Sequence, residues 1–402
     1  MRRERAQLSM SPGVMRMAVH QTRRDVLRGT LAAAGLGMLG IPEWALPALA
    51  QGDTLVPFTD APPAFPAPGP VNRQYDIRTI DGPFSPADRF FTTQHYGHPV
   101  VDPATFQLKV TGLVNRPLSL SLDELRKLGN TELIAGFECS GNRRPLQGLC
   151  GNGRWTGVPL RAVLDRAGLK PQVRELVFFG ADRGPEEVEF RTQKFSVEQQ
   201  YGRSLTRDQA LTSDAFLAWA LNGEPLTRHQ GSPLRLLVPG WYGMANVKFL
   251  ATIHAQEDAY LGKFQARHYR TLRGETIDGE VKWTEAAITQ MQLKSFLARV
   301  TRSGSGHTVL GIVLHDGTPL KSVEVRVDDG PWQVATLDPA TRAKHSWKLF
   351  TYAWANATPG EHTLVSRVTD VNGRVQPTLE ELESKKTFLE DNSQYPRKVT
   401  IA

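Results

Sequence analysis

Apolar and polar positions follow different rhythms in the two parts of the chain. Over Phe106–Val114 (FQLKVTGLV) the two-residue period of a strand runs into a turn. Ser119–Leu128 (SLSLDELRKL) shifts to helical spacing behind a serine with an acid three places on, the mark of a capped helix. Gly157–Gly168 (GVPLRAVLDRAG) predicts a second helix starting near Pro159. Three apolar runs, Glu175–Asp182, Ala215–Gly223 and Ser232–Gly240, are bounded by Gly and Pro. Strands and helices therefore mix from about Tyr75 to Gly279. From about Lys294 the texture becomes all-β: Thr308–Gly317, Lys321–Ala335 and His362–Gly373 alternate apolar with polar and carry Asp-Gly and Asn-Gly turn signals. That spacing predicts a sandwich of about 100 residues. No repeat of 20–50 residues is visible.

The pattern predicts an α+β domain followed by an immunoglobulin-like β-sandwich, with the boundary between Trp283 and Lys294. The expected divisions are an export signal at 1–50, a Pro-rich arm at 51–74, a catalytic domain at 75–285 and the sandwich, of a dimerisation type, at 286–402. With 402 residues, 40% hydrophobic and 22% charged, the chain is long enough for two such cores. Its charge of +7 is uneven: residues 1–50 hold seven Arg against three acids, a net of +4, which leaves +3 elsewhere. That remainder is too small to argue for nucleic acid.

The N-terminus reads as a targeting segment. Arg23-Arg24, the apolar run Leu31–Ile41 and Ala48-Leu49-Ala50 supply the charged, apolar and cleavage parts of an export signal. The run is too short and too rich in Gly and Ala to span a membrane. Paired arginines favour the twin-arginine route, which exports folded proteins, often with a cofactor in place. The expected location is periplasmic or otherwise extracytoplasmic.

The chain has two cysteines, Cys139 and Cys150, and export invites a disulfide between them. Cys139 sits in FECSGNRRP (Phe137–Pro145), where an apolar strand runs into a loop carrying Arg143 and Arg144. Such a field favours thiolate, which serves equally as nucleophile or soft metal ligand; a small buried strand-end residue is the plain alternative. No CxxC, CxxCH, HExxH, GxSxG or phosphate-binding loop occurs, so zinc, c-type haem and nucleotide readings lack support.

Cys139–Arg144 (CSGNRR), Arg154–Leu160 (RWTGVPL), and Gly231–Arg235 (GSPLR) continuing to Val238–Gly240 and Val247–Phe249, together resemble the sulfite oxidase family of molybdenum enzymes in order and spacing over about 200 residues. The resemblance implies a sulfite-oxidase-type molybdopterin-binding domain ahead of the sandwich. It implies Cys139 as the protein's ligand to molybdenum, beside a single molybdopterin in its monophosphate form. Arg235 and Lys248 would hold the pterin phosphate, with Asn142 and His229 as further cofactor contacts. Arg144 would hold an anionic substrate, Trp155 would wall the pocket, Tyr269 would lie near the reactive oxygen, and His95 would touch cofactor or substrate. His95 with His98 is too small a set to define a second metal site.

Three departures weaken the substrate side. Thr93 stands where the family's FFxRxH pattern has arginine. Gln230 stands where a histidine is expected, with His229 one place earlier. Near Ala343–Trp347 neither Lys344 nor Arg342 aligns with a substrate-pocket arginine of the second domain. Losing one such donor removes about 1.5–3 kcal/mol of charged hydrogen bonding. The expected activity is oxidation of sulfite or a related sulfur oxyanion by oxygen-atom transfer, with electrons passed to a separate acceptor such as a c-type cytochrome. A homodimer through the sandwich is expected, and neither nucleic acid nor a membrane span. A methionine sulfoxide reductase and a non-catalytic exported binding protein are the alternatives.

Overall fold

The computed structural model describes residues 53–62 and 72–402. The export segment and residues 51–52 and 63–71 of the Pro-rich arm lie outside them. Strands dominate, joined by four short α-helices among the described residues: Leu122–Leu128, Leu160–Ala167, Arg207–Thr212 and Lys263–Ala266. Ser121 caps the first through a full capping box with Glu124, and the second begins immediately after Pro159, as its pattern predicts.

The N-terminal body is built from two sheets. One orders Arg235–Leu237, Phe216–Leu221, Cys150–Pro159 and Thr131–Glu138 as antiparallel neighbours. The other runs Leu118–Leu120, Leu108–Gly112, Leu250–Gln256, Glu175–Phe190 and Gln193–Thr206, with one parallel pairing between Leu108–Gly112 and Leu250–Gln256. Their apolar faces enclose one large core around Leu108, Trp155, Leu164, Phe178, Leu217 and Leu236. Close packing there admits no side chain at Gly157, where a Cβ would stand 2.0 Å from the Leu217 carbonyl oxygen.

The C-terminal part is a two-sheet β-sandwich. One sheet contains Lys294–Ser303, Gly306–Leu314, Lys348–Trp354 and Thr336–Leu337; the other contains Gln333–Val334, Leu320–Val327, Gly360–Asp370 and Arg397–Ile401. Alternate residues such as Val300, Val309, Val323, Val325, Phe350 and Val368 fill the space between them. Two features depart from the sequence expectation. Thr54–Val56, placed in the Pro-rich arm, pairs with Val300–Arg302 as an edge strand of the sandwich. Glu280–Ala287, which pairs with Arg270–Ile277 as a hairpin, runs across position 285. A third apolar cluster, including Tyr75, Ile77, Cys150, Phe296, Ile312 and Trp347, joins the body to the sandwich. Cys139 and Cys150 are both free thiols: Cys150 is wholly buried in that cluster, while Cys139 remains partly accessible.

Candidate active site

Strand Thr131–Glu138 delivers Cys139 to the wall of a cleft of about 570 Å³ that is also lined by Thr93, His95, Asp182, Arg235, Lys248 and Tyr269. Several elements converge there. Cys139 leaves the end of its strand, with its backbone amide donating to the Leu149 carbonyl at 2.8 Å. Arg235 begins a buried strand. Lys248 lies between Val247 and Phe249, whose amide donates to Gly231. Gly231 has φ +96° and lies so close that a Cβ would meet Lys248 Cβ at 2.6 Å.

The electrostatics of the cleft are those of an anion site. The Arg235 guanidinium is buried and donates only to backbone, to the Gln230 carbonyl at 3.0 Å and the Asn246 carbonyl at 3.2 Å. Lys248 Nζ donates to Thr92 Oγ1 at 2.8 Å and to the Thr93 carbonyl at 2.7 Å. Neither cation forms an ion pair among the described residues. Burial pushes Arg235 down to about 9 and Lys248 down to about 7, the latter with Arg235 adding to the effect. Arg235 Nε and Asp182 Oδ1 are buried without partners. Two buried cations and the open Arg235 Nε call for an anionic group, while the open Asp182 Oδ1, an acceptor, calls for a donor on it.

On the opposite wall His95 and Tyr269 are uncharged. His95 Nε2 and the Tyr269 hydroxyl are 2.7 Å apart, and Phe264 stacks on His95 at 4.6 Å. Burial first, then His268 and Lys248, push His95 down to about 4, so its imidazole is neutral at pH 7. Burial holds the Tyr269 phenol protonated, well above its ordinary value. Burial likewise raises Asp182, to about 6, where its Oδ2 accepts from Gln94 at 2.5 Å. Burial raises the Cys139 thiol as well, opposed by the Gly141 amide, Thr93 and Lys248. The cation beside the sulfur is thus Lys248, and not the adjacent arginines of the sequence motif.

The structure gathers Cys139, Arg235, Lys248, Tyr269 and His95 at the cleft and places the other expected site residues elsewhere. Trp155 is wholly buried; its Nε1 donates to the Ala135 carbonyl at 3.0 Å and its ring packs 5.0 Å from the Arg235 guanidinium, supporting it from below. Arg144 faces the C-terminal part, donating to Ser393 Oγ at 2.5 Å over the Tyr395 ring at 4.8 Å. The Asn142 amide is consumed within the loop, donating to Glu138 Oε2 and accepting from the Leu149 amide, both at 2.9 Å. His229 contacts Arg73 at 2.7 Å and His98 at 3.4 Å. Lys344 and His345 both pair with Asp214, at 2.9 and 2.7 Å, so the Ala343–Trp347 segment brings no cation to the cleft. Asp182, Gln94 and Met244, which also line it, carry no local signal in the sequence.

Residues 95–264 match the oxidoreductase molybdopterin binding domain. The chain is 29% identical over 400 residues to mitochondrial sulfite oxidase of Homo sapiens, covering 90% of this chain and 70% of that protein. It is also 29% identical over 366 residues to sulfite oxidase of Gallus gallus, covering 82% and 77%. The chain resembles the sulfite oxidase family of molybdenum enzymes. In fold it is similar to the sulfane dehydrogenase SoxCD from Paracoccus pantotrophus, with a TM-score of 0.68, 24% identity, and coverage of 86% of this chain and 91% of that one. Its cofactor is molybdenum with molybdopterin, and it is an oxidoreductase rather than a non-catalytic binding protein. The donor set fits that cofactor: one soft sulfur, Cys139, faces the cleft with buried cations available for a phosphate.

Proposed function

We propose that this enzyme oxidises sulfite or a closely related sulfur oxyanion. The observation that carries the reading is the joint placement of the Cys139 thiol, the unpaired Arg235 and Lys248, and the Tyr269–His95 pair around one cleft. Cys139 is the ligand to molybdenum. Arg235 and Lys248 hold the pterin phosphate, relieving the cost of burying two like charges. When bound, the molybdenum cofactor supplies oxygen-atom transfer to sulfur and takes up two electrons.

The chain's own residues orient the anion. Neutral His95 accepts from the Tyr269 hydroxyl or donates to it according to its tautomer, and so fixes the phenol at the cleft wall. Thr93, whose hydroxyl faces the cleft beside the Cys139 sulfur, offers a second neutral donor. Protein packing around Phe91, Phe137 and Tyr201 excludes water and strengthens each of these contacts. Sulfite and water give sulfate, two protons and two electrons, and the electrons pass one at a time to a separate acceptor, most simply a c-type cytochrome. Export by the twin-arginine route and pairing through the sandwich complete the proposal. No helix of the described residues is long and apolar enough to cross a membrane.

Two substitutions test it. Cys139→Ser abolishes sulfite oxidation with an artificial acceptor while the circular dichroism spectrum stays unchanged; a variant with full turnover sinks the ligand assignment. Thr93→Arg restores a cation to the substrate side and lowers the KM for sulfite. An unchanged or raised KM points to a different sulfur substrate.

A further inference from the structure

The loop that presents Cys139 is held from behind by a group that belongs to the other domain. Lys294 opens the first long strand of the sandwich, yet its Nζ lies 3.0 Å from Glu138 Oε2 and 2.9 Å from the Asn142 carbonyl. Glu138 immediately precedes Cys139. Asn142 closes the turn after it, its amide donating to the Cys139 carbonyl at 2.8 Å and its side chain donating to Glu138 Oε2. Glu138, Asn142 and Lys294 are all at most 2% exposed. A second tie comes from the C-terminal segment, where the Glu390 amide donates to the Ser140 carbonyl at 2.7 Å.

We propose that Lys294 is a positioning residue for the Cys139 thiolate, clamping the 138–142 loop to the sandwich through Glu138 and Asn142. The inference rests on the reading of Cys139 as metal ligand. Burying an ion pair is a poor way to gain stability, because desolvation offsets the attraction. Here the pair contributes geometry: one ammonium bridges the residue before the ligand and the carbonyl three after it, so the sulfur is aimed from both sides. The second domain thereby forms part of the catalytic apparatus without lining the cleft.

The test is hydrogen exchange on the purified full-length enzyme, read on peptides covering 138–149, together with molybdenum bound per chain. Lys294→Met should speed exchange in that loop about tenfold or more and reduce bound metal, with protection over Gly306–Leu314 retained. Equal loss of protection everywhere would mean a merely structural role, and unchanged loop protection overturns the proposal. The double variant Glu138→Gln with Lys294→Met removes the unpaired buried charge and keeps the measurement possible if the single variant folds poorly. It should recover overall stability while the loop stays fast; full recovery of loop protection would show that Lys294 only neutralises Glu138. Neither outcome depends on the ligand assignment, which Cys139→Ser tests separately.

Discussion

Arg235 and Lys248 show most plainly what the cleft is for. A buried lysine pushed to about 7 beside a buried arginine pushed to about 9 is costly without an anion. Lys248→Met should therefore have two opposite effects. Cofactor retention should weaken about 10- to 100-fold, from the loss of a charged hydrogen bond worth about 1.5–3 kcal/mol. The cofactor-free chain should melt at a higher temperature than its parent, because an uncompensated cation is gone. Releasable pterin and thermal scans of both forms measure the two. Weaker retention with a lower melting temperature in the free chain would contradict the argument. At this scale the sequence was informative about which residues meet at the cleft, as for Cys139, Lys248 and Arg235, but not about their partners, since Lys248 rather than Arg143 or Arg144 acts on the sulfur. It failed where a side chain turned away from its neighbours. Trp155 and Arg144 sit close to the ligand in sequence, but one points into the core and the other to Ser393 and Tyr395. Nothing in the motif reveals the C-terminal segment that receives Arg144.

Elements carry the cleft as much as residues do. The strand Cys150–Pro159 lies between Thr131–Glu138 and Phe216–Leu221, and its glycines allow the backbones and rings to close in. Gly157→Ala should destabilise the protein by about 1–3 kcal/mol through overpacking, because its Cβ would be driven against the Leu217 carbonyl and the Phe216 ring. Urea unfolding measures this, and a midpoint equal to that of the parent would disprove the close contact. Gly231→Ala adds the strain of a left-handed φ to a clash with Lys248, so it should reduce bound pterin as well as stability. The helices at Leu122–Leu128 and Leu160–Ala167 were legible because capping and apolar spacing act locally. Strand partners were not, since pairing joins segments far apart in sequence.

Over the whole molecule, buried histidines set the response to acid. His315 is 4% exposed; its Nε2 lies 3.1 Å from the Ser346 carbonyl and its Nδ1 accepts from the Gly317 amide at 3.1 Å. Nδ1 also lies 3.2 Å from the Thr318 carbonyl; the two carbonyls favour the charged ring, but burial outweighs them and pushes His315 down to about 4. Because the folded value is below the unfolded one, its contribution is complete above about pH 6.5 and is lost as pH falls towards 4. A shift from 6.5 to about 4 corresponds to about 3 kcal/mol. Urea midpoints should fall between pH 7 and pH 5, and His315→Asn should flatten that slope; an equal slope in the variant would reject this origin.

The division into a mixed body and a β-sandwich was readable from period alone, but the role of Thr54–Val56 was not. Its three residues have no strand signal stronger than that of a loop, and the edge they complete is nearly 250 positions away. Phe58 also bridges Val399, close to the last residue. The first described residues are thus stitched to strands Lys294–Ser303 and Arg397–Ile401. On a ribosome adding about 5–20 residues per second, Thr54–Val56 must wait for Val300–Arg302, and Phe58 for Val399, before either pairing can form. High contact order of this kind slows folding and leaves an unpaired strand open in the interval, so the newborn chain stays exposed to aggregation until both pairings form.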